Sequence, residues 1–194
     1  MAPLRIMLDN NVFDKLANDP DTLTMVIELQ AGGMIKLAIT HAIEEQLTQA
    51  PLHVRKAAET LNITAISTSG AVWGLSKWDQ ADWADEATEK RLNRVQGNKS
   101  KGKQVARHWA DTLMSVTATN KADVFVSEDK TGRNAVKRIM AQDDLKLQVW
   151  CYEEFRLHIV RLPRAKTGCM GGEPGVGCYH HRLVNGSIKW IDPL

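Results

Sequence analysis

The chain has 194 residues, 43% of them hydrophobic and 25% charged, with a formal net charge of +2. That balance belongs to an ordinary globular protein and excludes disordered, collagen-like and coiled-coil readings. The length suffices for one sizeable core without disulfides, and no run approaches the ~18 apolar residues that a membrane helix needs. The opening residues reach a polar Asp9-Asn10-Asn11 after few apolar positions, so no signal peptide is expected. Cys151, Cys169 and Cys178 include no CxxC pair, which fits a reducing cytoplasm better than a disulfide scaffold.

Strand and helix signals then alternate, the mark of an α/β fold with a mostly parallel sheet. Leu4 to Leu8 is a first strand. Asp19-Pro20 opens a helix that passes Leu23, Val26 and Ile27 and stops at Gly32-Gly33. Ile35 to Thr40 is a second strand, followed by helices from about His41 to Gln49 and Leu52 to Leu61 on either side of Pro51. Ile63 to Ser67 is a third strand. A Trp-bearing segment follows, with a helix expected from about Trp78 to Val95, then a Gly- and Lys-rich connection. Gln104 to Asn120 is helical, with Val105, Trp109, Leu113 and Val116 on one face. Asp123 to Ser127 is a strand rich in Val and Phe, Thr131 to Ala141 a helix, Leu145 to Trp150 a strand and Tyr152 to Leu162 a helix. In the tail, Gly168 to Gly177 is glycine-rich, and Asn185-Gly186 between two β-prone runs signals a hairpin. The expected organisation is an α/β domain over residues 1–162 and a linker plus β-hairpin extension over 163–194.

In an α/β sheet, ligands bind outside the carboxyl ends of the strands. Asp9 directly follows the first strand, Glu44 and Glu45 lie in the helix after the second, and Asp129 lies just past Ser127. Asp111 sits among Ala110, Thr112 and Leu113 in the helix before that strand, an awkward place for a charge without a purpose. Two like charges about 4 Å apart cost about 4 kcal/mol at an effective dielectric of 20. Carboxylates gathered in one crevice therefore call for a cation, and hard oxygen ligands select Mg²⁺ or Mn²⁺. From Lys90 to Arg107 the chain carries Lys90, Arg91, Arg94, Lys99, Lys101, Lys103 and Arg107 and no acid. An acidic metal site beside such a segment suggests phosphodiester chemistry. The plainer reading of the same acids is N-caps and scattered surface charge.

The order and spacing resemble the PIN domain, a metal-dependent nuclease fold. Its apolar strand ending in Asp-x-Asn is matched by Leu8-Asp9-Asn10-Asn11. Its helix reading Asp-small-apolar before a strand is matched by Ala110-Asp111-Thr112-Leu113, and its strand ending in Ser or Thr, then x-Asp, by Val126-Ser127-Glu128-Asp129. Ile39-Thr40-His41 to Leu47, with Ser67-Thr68-Ser69-Gly70, resembles a bacterial toxin-like subgroup. The resemblance covers roughly residues 4 to 155 and implies a three-layer α/β/α fold. It further implies a cytoplasmic endoribonuclease, the toxin of a toxin–antitoxin pair, with an antitoxin and a second copy as candidate protein partners. Asp9, Glu45, Asp111 and Asp129 would hold Mg²⁺ or Mn²⁺ and catalyse hydrolysis that leaves a 5′-phosphate and a 3′-hydroxyl. Asn11 would orient Asp9, and Ser127 would act similarly.

One position departs from the family. Its second acid falls where this chain has Gln46, with Glu45, or Glu44 in reserve, as the replacement. Adjacent helical residues point about 100° apart, so the substitution requires a rotated or differently started helix. The alternative is a PIN-like module that binds RNA or protein without cutting. A phosphatase of the haloacid dehalogenase type is disfavoured, because it needs Asp-x-Asp where the chain has Asp9-x-Asn11. Lys130 and Arg133, near Lys137 and Arg138, could grip phosphates or form a solvated helix face. Trp73, Trp78 and Trp83 fit neither face periodicity and are expected to pack in the core or between helices rather than stack on RNA or bind an antitoxin helix. Cys169, Cys178, His180 and His181 have zinc-ligand chemistry but not a common finger spacing, so the hairpin is expected to be metal-free.

The basic segment generates a first prediction. Changing Lys99, Lys101 and Lys103 together to Gln should weaken RNA binding most at low salt. The slope of log K against log salt should flatten by roughly 0.7 to 0.9 for each phosphate no longer neutralised. An unchanged slope would mean that these lysines do not touch the nucleic acid.

Overall fold

The computed structural model describes residues 2–71, 79–90, 105–128, 147–167, 180–184 and 187–191, with backbone alone for 105–112 and from 163 onward. In chain order the elements are β1 (Leu4–Leu8), α1 (Asn10–Ala17), α2 (Pro20–Ala31), β2 (Ile35–Thr40), α3 (His41–Thr48), α4 (Leu52–Thr60) and β3 (Ile63–Ile66). There follow β4 (Thr68–Ser69), β5 (Ala81–Asp82), α5 (Val105–Lys121), β6 (Val124–Val126), β7 (Gln148–Trp150), α6 (Tyr152–Thr167), β8 (His180–Val184) and β9 (Ser187–Ile191).

Five strands form one parallel sheet in the order β3-β2-β1-β6-β7, flanked by helices in a three-layer α/β/α arrangement. Ile6, Met7 and Leu8 of β1 and Val124, Phe125 and Val126 of β6 are all fully buried. Consecutive buried residues on a strand require cover on both faces, as parallel sheets have. Helices α1 to α4 touch one another, and α6 touches α2; α5 instead lies against β6 and β4. Right-handed crossovers explain the split, since the chain reverses direction across the sheet between β3 and β6.

Local chemistry accounts for the helices. Asp19 caps α2 by accepting from Thr22 N at 3.1 Å and from Thr22 Oγ1 at 2.8 Å, with Pro20 in the first turn. Gly33, at φ 64°, leaves α2 through the left-handed region, where a side chain would be strained. Tyr152 OH donates to Asp19 Oδ2 at 3.1 Å, stapling α6 to α2. The backbone of α6 stays helical past Pro163 to Thr167, beyond the end expected at Leu162.

Helix α1 has no counterpart among the expected elements, yet Val12, Phe13 and Leu16 bury one face of it. The helix expected from Trp78 is corrected in part: Ala81–Asp82 is a short strand pairing in parallel with β4, and the described helical residues are 86–90. That small insertion covers the outer side of α5, so Leu113 to Ala118 are buried without interruption. The seam is polar. Ser69 N donates to Thr117 Oγ1 at 2.9 Å, Asn120 Nδ2 to Thr88 Oγ1 at 3.2 Å, and Lys121 Nζ to Ser67 Oγ at 2.6 Å and to Asp82 Oδ2. The ammonium holds the Asp82 carboxyl below the usual carboxylate range. The C-terminal strands pair antiparallel from His180–Ile191 to Val184–Ser187, the expected hairpin. The expected helix over 131–141 and the glycine-rich linker lie outside the described residues.

Arg5 on β1 closes the base of the sheet. Its guanidinium donates to Asp123 at 2.7 and 3.2 Å, and its amide donates to Asp123 Oδ2 at 2.8 Å. Burial alone pushes the Asp123 carboxyl up, but these bonds outweigh it and leave the group below its ordinary value. A depressed folded pKa gives stability that is present above the unfolded value and lost as pH falls through the folded one. Asp123→Asn should therefore cost about 1 kcal/mol near neutrality, discounted for solvent screening, and progressively less as pH falls through and below the usual carboxylate range. Urea midpoints measured across a descending pH series read the difference.

Candidate functional site

Where the strand order reverses, between β1 and β6, an open parallel sheet leaves a crevice outside its carboxyl ends. Asp9 stands there. Its amide donates to Val126 O at 2.9 Å, prolonging the ladder by one step, and its side chain caps α1 by accepting from Asn10 N at 2.7 Å. Its other oxygen, Oδ2, accepts from Ser127 Oγ at 2.7 Å. Ser127 is buried, and its own amide donates to Trp150 O at 3.0 Å. Asp9 is thus anchored both from α1 and from the residue that follows β6.

The neighbouring loops are stitched together. Asn11, expected to orient Asp9, uses its Oδ1 to accept from Glu128 N at 3.2 Å, which fixes the start of the loop after β6. Glu128 Oε1 in turn accepts from Tyr152 N at 2.7 Å at the start of α6, and Glu154 Oε2 accepts from Cys151 N at 2.8 Å. Carboxylates at a helix N-terminus satisfy orphan amides and complement the dipole. In the Ser-x-Asp motif Glu128 is only the spacer. Its partner amide is remote in sequence and is brought close by the β6–β7 pairing, so no local pattern marks it.

The other expected acids are placed less completely. Glu44, Glu45 and Gln46 are all exposed on α3, whose buried face carries His41, Ile43 and Leu47. Helix α5 must run antiparallel to β6, since only Ala122 and Asp123 join them. Asp111, ten residues before Lys121, then lies about 15 Å back along the helix axis, level with or beyond the carboxyl end of β6. Its side chain lies outside the described residues, as do Asp129, Lys99, Lys101, Lys103, Lys130, Arg133, Cys169, Cys178 and the side chains of Arg107, His180 and His181. Among the described residues, no group of three or more His, Cys, Asp or Glu is placed to hold a metal ion.

Trp83 corrects an expectation. It is 87% exposed rather than packed inside. Asp82 is turned toward Lys121 and Ser67, and strand alternation sends the next side chain the other way. Trp73 and Trp78 lie outside the described residues. No protein-family model matches the chain, and no curated protein matches it.

The Ser127–Asp9 bond yields a prediction. A hydrogen bond to a charged group contributes about 1.5–3 kcal/mol. Ser127→Ala should lower stability by about that amount, and combining it with Asp9→Asn should cost less than the sum. The cycle is read from denaturant unfolding of the four proteins, with a coupling of about 1 kcal/mol expected.

Proposed function

We propose that the chain is a Mg²⁺- or Mn²⁺-dependent endoribonuclease of PIN type, acting as the toxin of a toxin–antitoxin pair. The observation that supports this best is Asp9 at the reversal point of the parallel sheet, with Ser127 Oγ 2.7 Å from one carboxylate oxygen and the Asn10 amide on the other. A carboxylate fixed in this way at a crevice has little freedom still to give up on binding a cation. In this reading Asp9, Asp111, Asp129 and Glu45 form the donor set, all hard oxygens suited to Mg²⁺ or Mn²⁺. Such a cation supplies an activated water and stabilises the leaving oxygen. Lys99, Lys101, Lys103, Arg107, Lys130 and Arg133 would hold flanking phosphates.

A second reading, a module that binds RNA or protein without cutting, draws on Gln46 and on the lack of a three-ligand metal group among the described residues. One experiment separates the two. Asp111→Asn keeps shape and removes a charge, so cleavage of a generic RNA should fall by more than about 100-fold, the upper end for removing a mere outer-shell partner. Without cation the variant should melt no lower than wild type, because carboxylate repulsion is relieved. Mn²⁺ should stabilise the wild type, by about 2.7 kcal/mol at a hundredfold excess over Kd, and the variant much less. RNA binding by the wild type with no cleavage and no cation-induced shift would establish the binding module instead.

A further inference from the structure

The register of the C-terminal hairpin sorts its residues into two faces. Successive residues of a strand belong to opposite faces, and directly paired residues share one. His181 pairs with Trp190 and Leu183 with Ile188, so these four occupy one largely apolar face. Arg182 pairs with Lys189 at the centre of the other. A two-stranded hairpin is marginal by itself in water, and the apolar face is the one suited to packing on protein. The basic face calls for a different partner. Like charges at directly opposed positions destabilise a strand pair, and no Asp or Glu lies between Cys178 and Ile191 to offset them.

The distribution of charge along the chain agrees with this. From Arg161 to the end there are five Lys and Arg against two acids, whereas residues 1–160 hold 20 against 21. The excess of positive charge therefore belongs to the last 34 residues, an asymmetry that suits a polyanion. We propose that the Arg182–Lys189 face of the hairpin is a contact for the sugar-phosphate backbone of RNA. The choice of RNA among polyanions rests on the ribonuclease reading above. Each cation neutralises one phosphate, so repulsion within the pair gives way to attraction toward a shared backbone. Phosphate contacts carry no sequence information, so this face adds affinity without base preference.

The test compares the full-length wild type with two double variants, Arg182→Gln with Lys189→Gln and Arg182→Lys with Lys189→Arg. Binding of a labelled single-stranded RNA is measured in EDTA over a salt series, alongside thermal melts and cleavage in Mn²⁺. The glutamine variant should bind about tenfold more weakly at low salt, and its log K against log salt slope should flatten by about 1.4 for two phosphates. It should melt no lower than wild type, since a like-charge pair has gone. The charge-preserving variant should bind within about twofold of wild type. An unchanged slope in the glutamine variant would overturn the inference, and if the wild type cleaves RNA the ribonuclease reading survives it. Equal losses of affinity in both variants, or a loss accompanied by lowered melting, would overturn it as well. Affinity lost for vesicles of anionic lipid but kept for RNA would assign the pair to a membrane surface instead. A flattened slope in a protein that cuts no RNA would uphold this contact and overturn the ribonuclease reading alone.

Discussion

Strand β1 pairs along both edges, with β2 on one side and β6 on the other, and everything near the candidate site depends on that double pairing. A strand so placed, with helices over both faces, has to be apolar along its length, which is why Ile6, Met7 and Leu8 are consecutive and buried. The first polar position after it is forced out at the carboxyl end. No crossover passes over that end, because the chain reverses there. Asp9 can therefore be anchored and yet half-exposed, held by Asn10 from its own helix and by Ser127 just past the neighbouring strand. The register is part of the arrangement. A slip of one residue between β1 and β6 would turn Ser127 to the other face, away from Asp9.

Much of this was legible in the sequence because strands and capped helices write local signals. The five strands of the main sheet, the Asp19-Pro20 start of α2 and the hairpin around Asn185-Gly186 all follow from short patterns of apolar, capping and turn residues. Helix α1 did not, although Asp9 is its cap and Val12, Phe13 and Leu16 its buried stripe. The Asp-Asn-Asn run reads as a loop, and eight residues give periodicity little room. The β4–β5 pair was out of reach for another reason. Two-residue strands are created by tertiary contacts, here with Thr117 and Lys121. At the site, motif spacing singled out Asp9 and Ser127. Glu128 acquires meaning only once β7 lies alongside, because its partner amide at Tyr152 comes from far away in the chain.

The same distinction separates the two sides of α5. Met114, Ala118 and Ala122 join the main core, whereas Leu113 and Val116 form a small cluster of their own. Around them run Ser69, Thr88, Thr117 and Asn120. An amphipathic stripe would have left this side to solvent. Here hydroxyls serve instead, since each can satisfy a backbone or side-chain partner while occupying little volume. Thr117 does both, accepting from Ser69 N and donating to Leu113 O at 2.7 Å.

The ties at Ser67, Ser69, Thr117 and Lys121 also have a consequence for chain length. They bring the departure of the chain from β3 against the end of α5 immediately before β6, so the intervening stretch is closed into a loop by contacts at its two ends. The entropy of closing a loop grows only with the logarithm of its length, about 0.6 kcal/mol for each doubling. Residues inserted on either side of the 79–90 segment, which itself covers α5, thus shift the folding equilibrium little, provided those ties remain. The sheet and the corner that carries Asp9 are insulated from such changes of length.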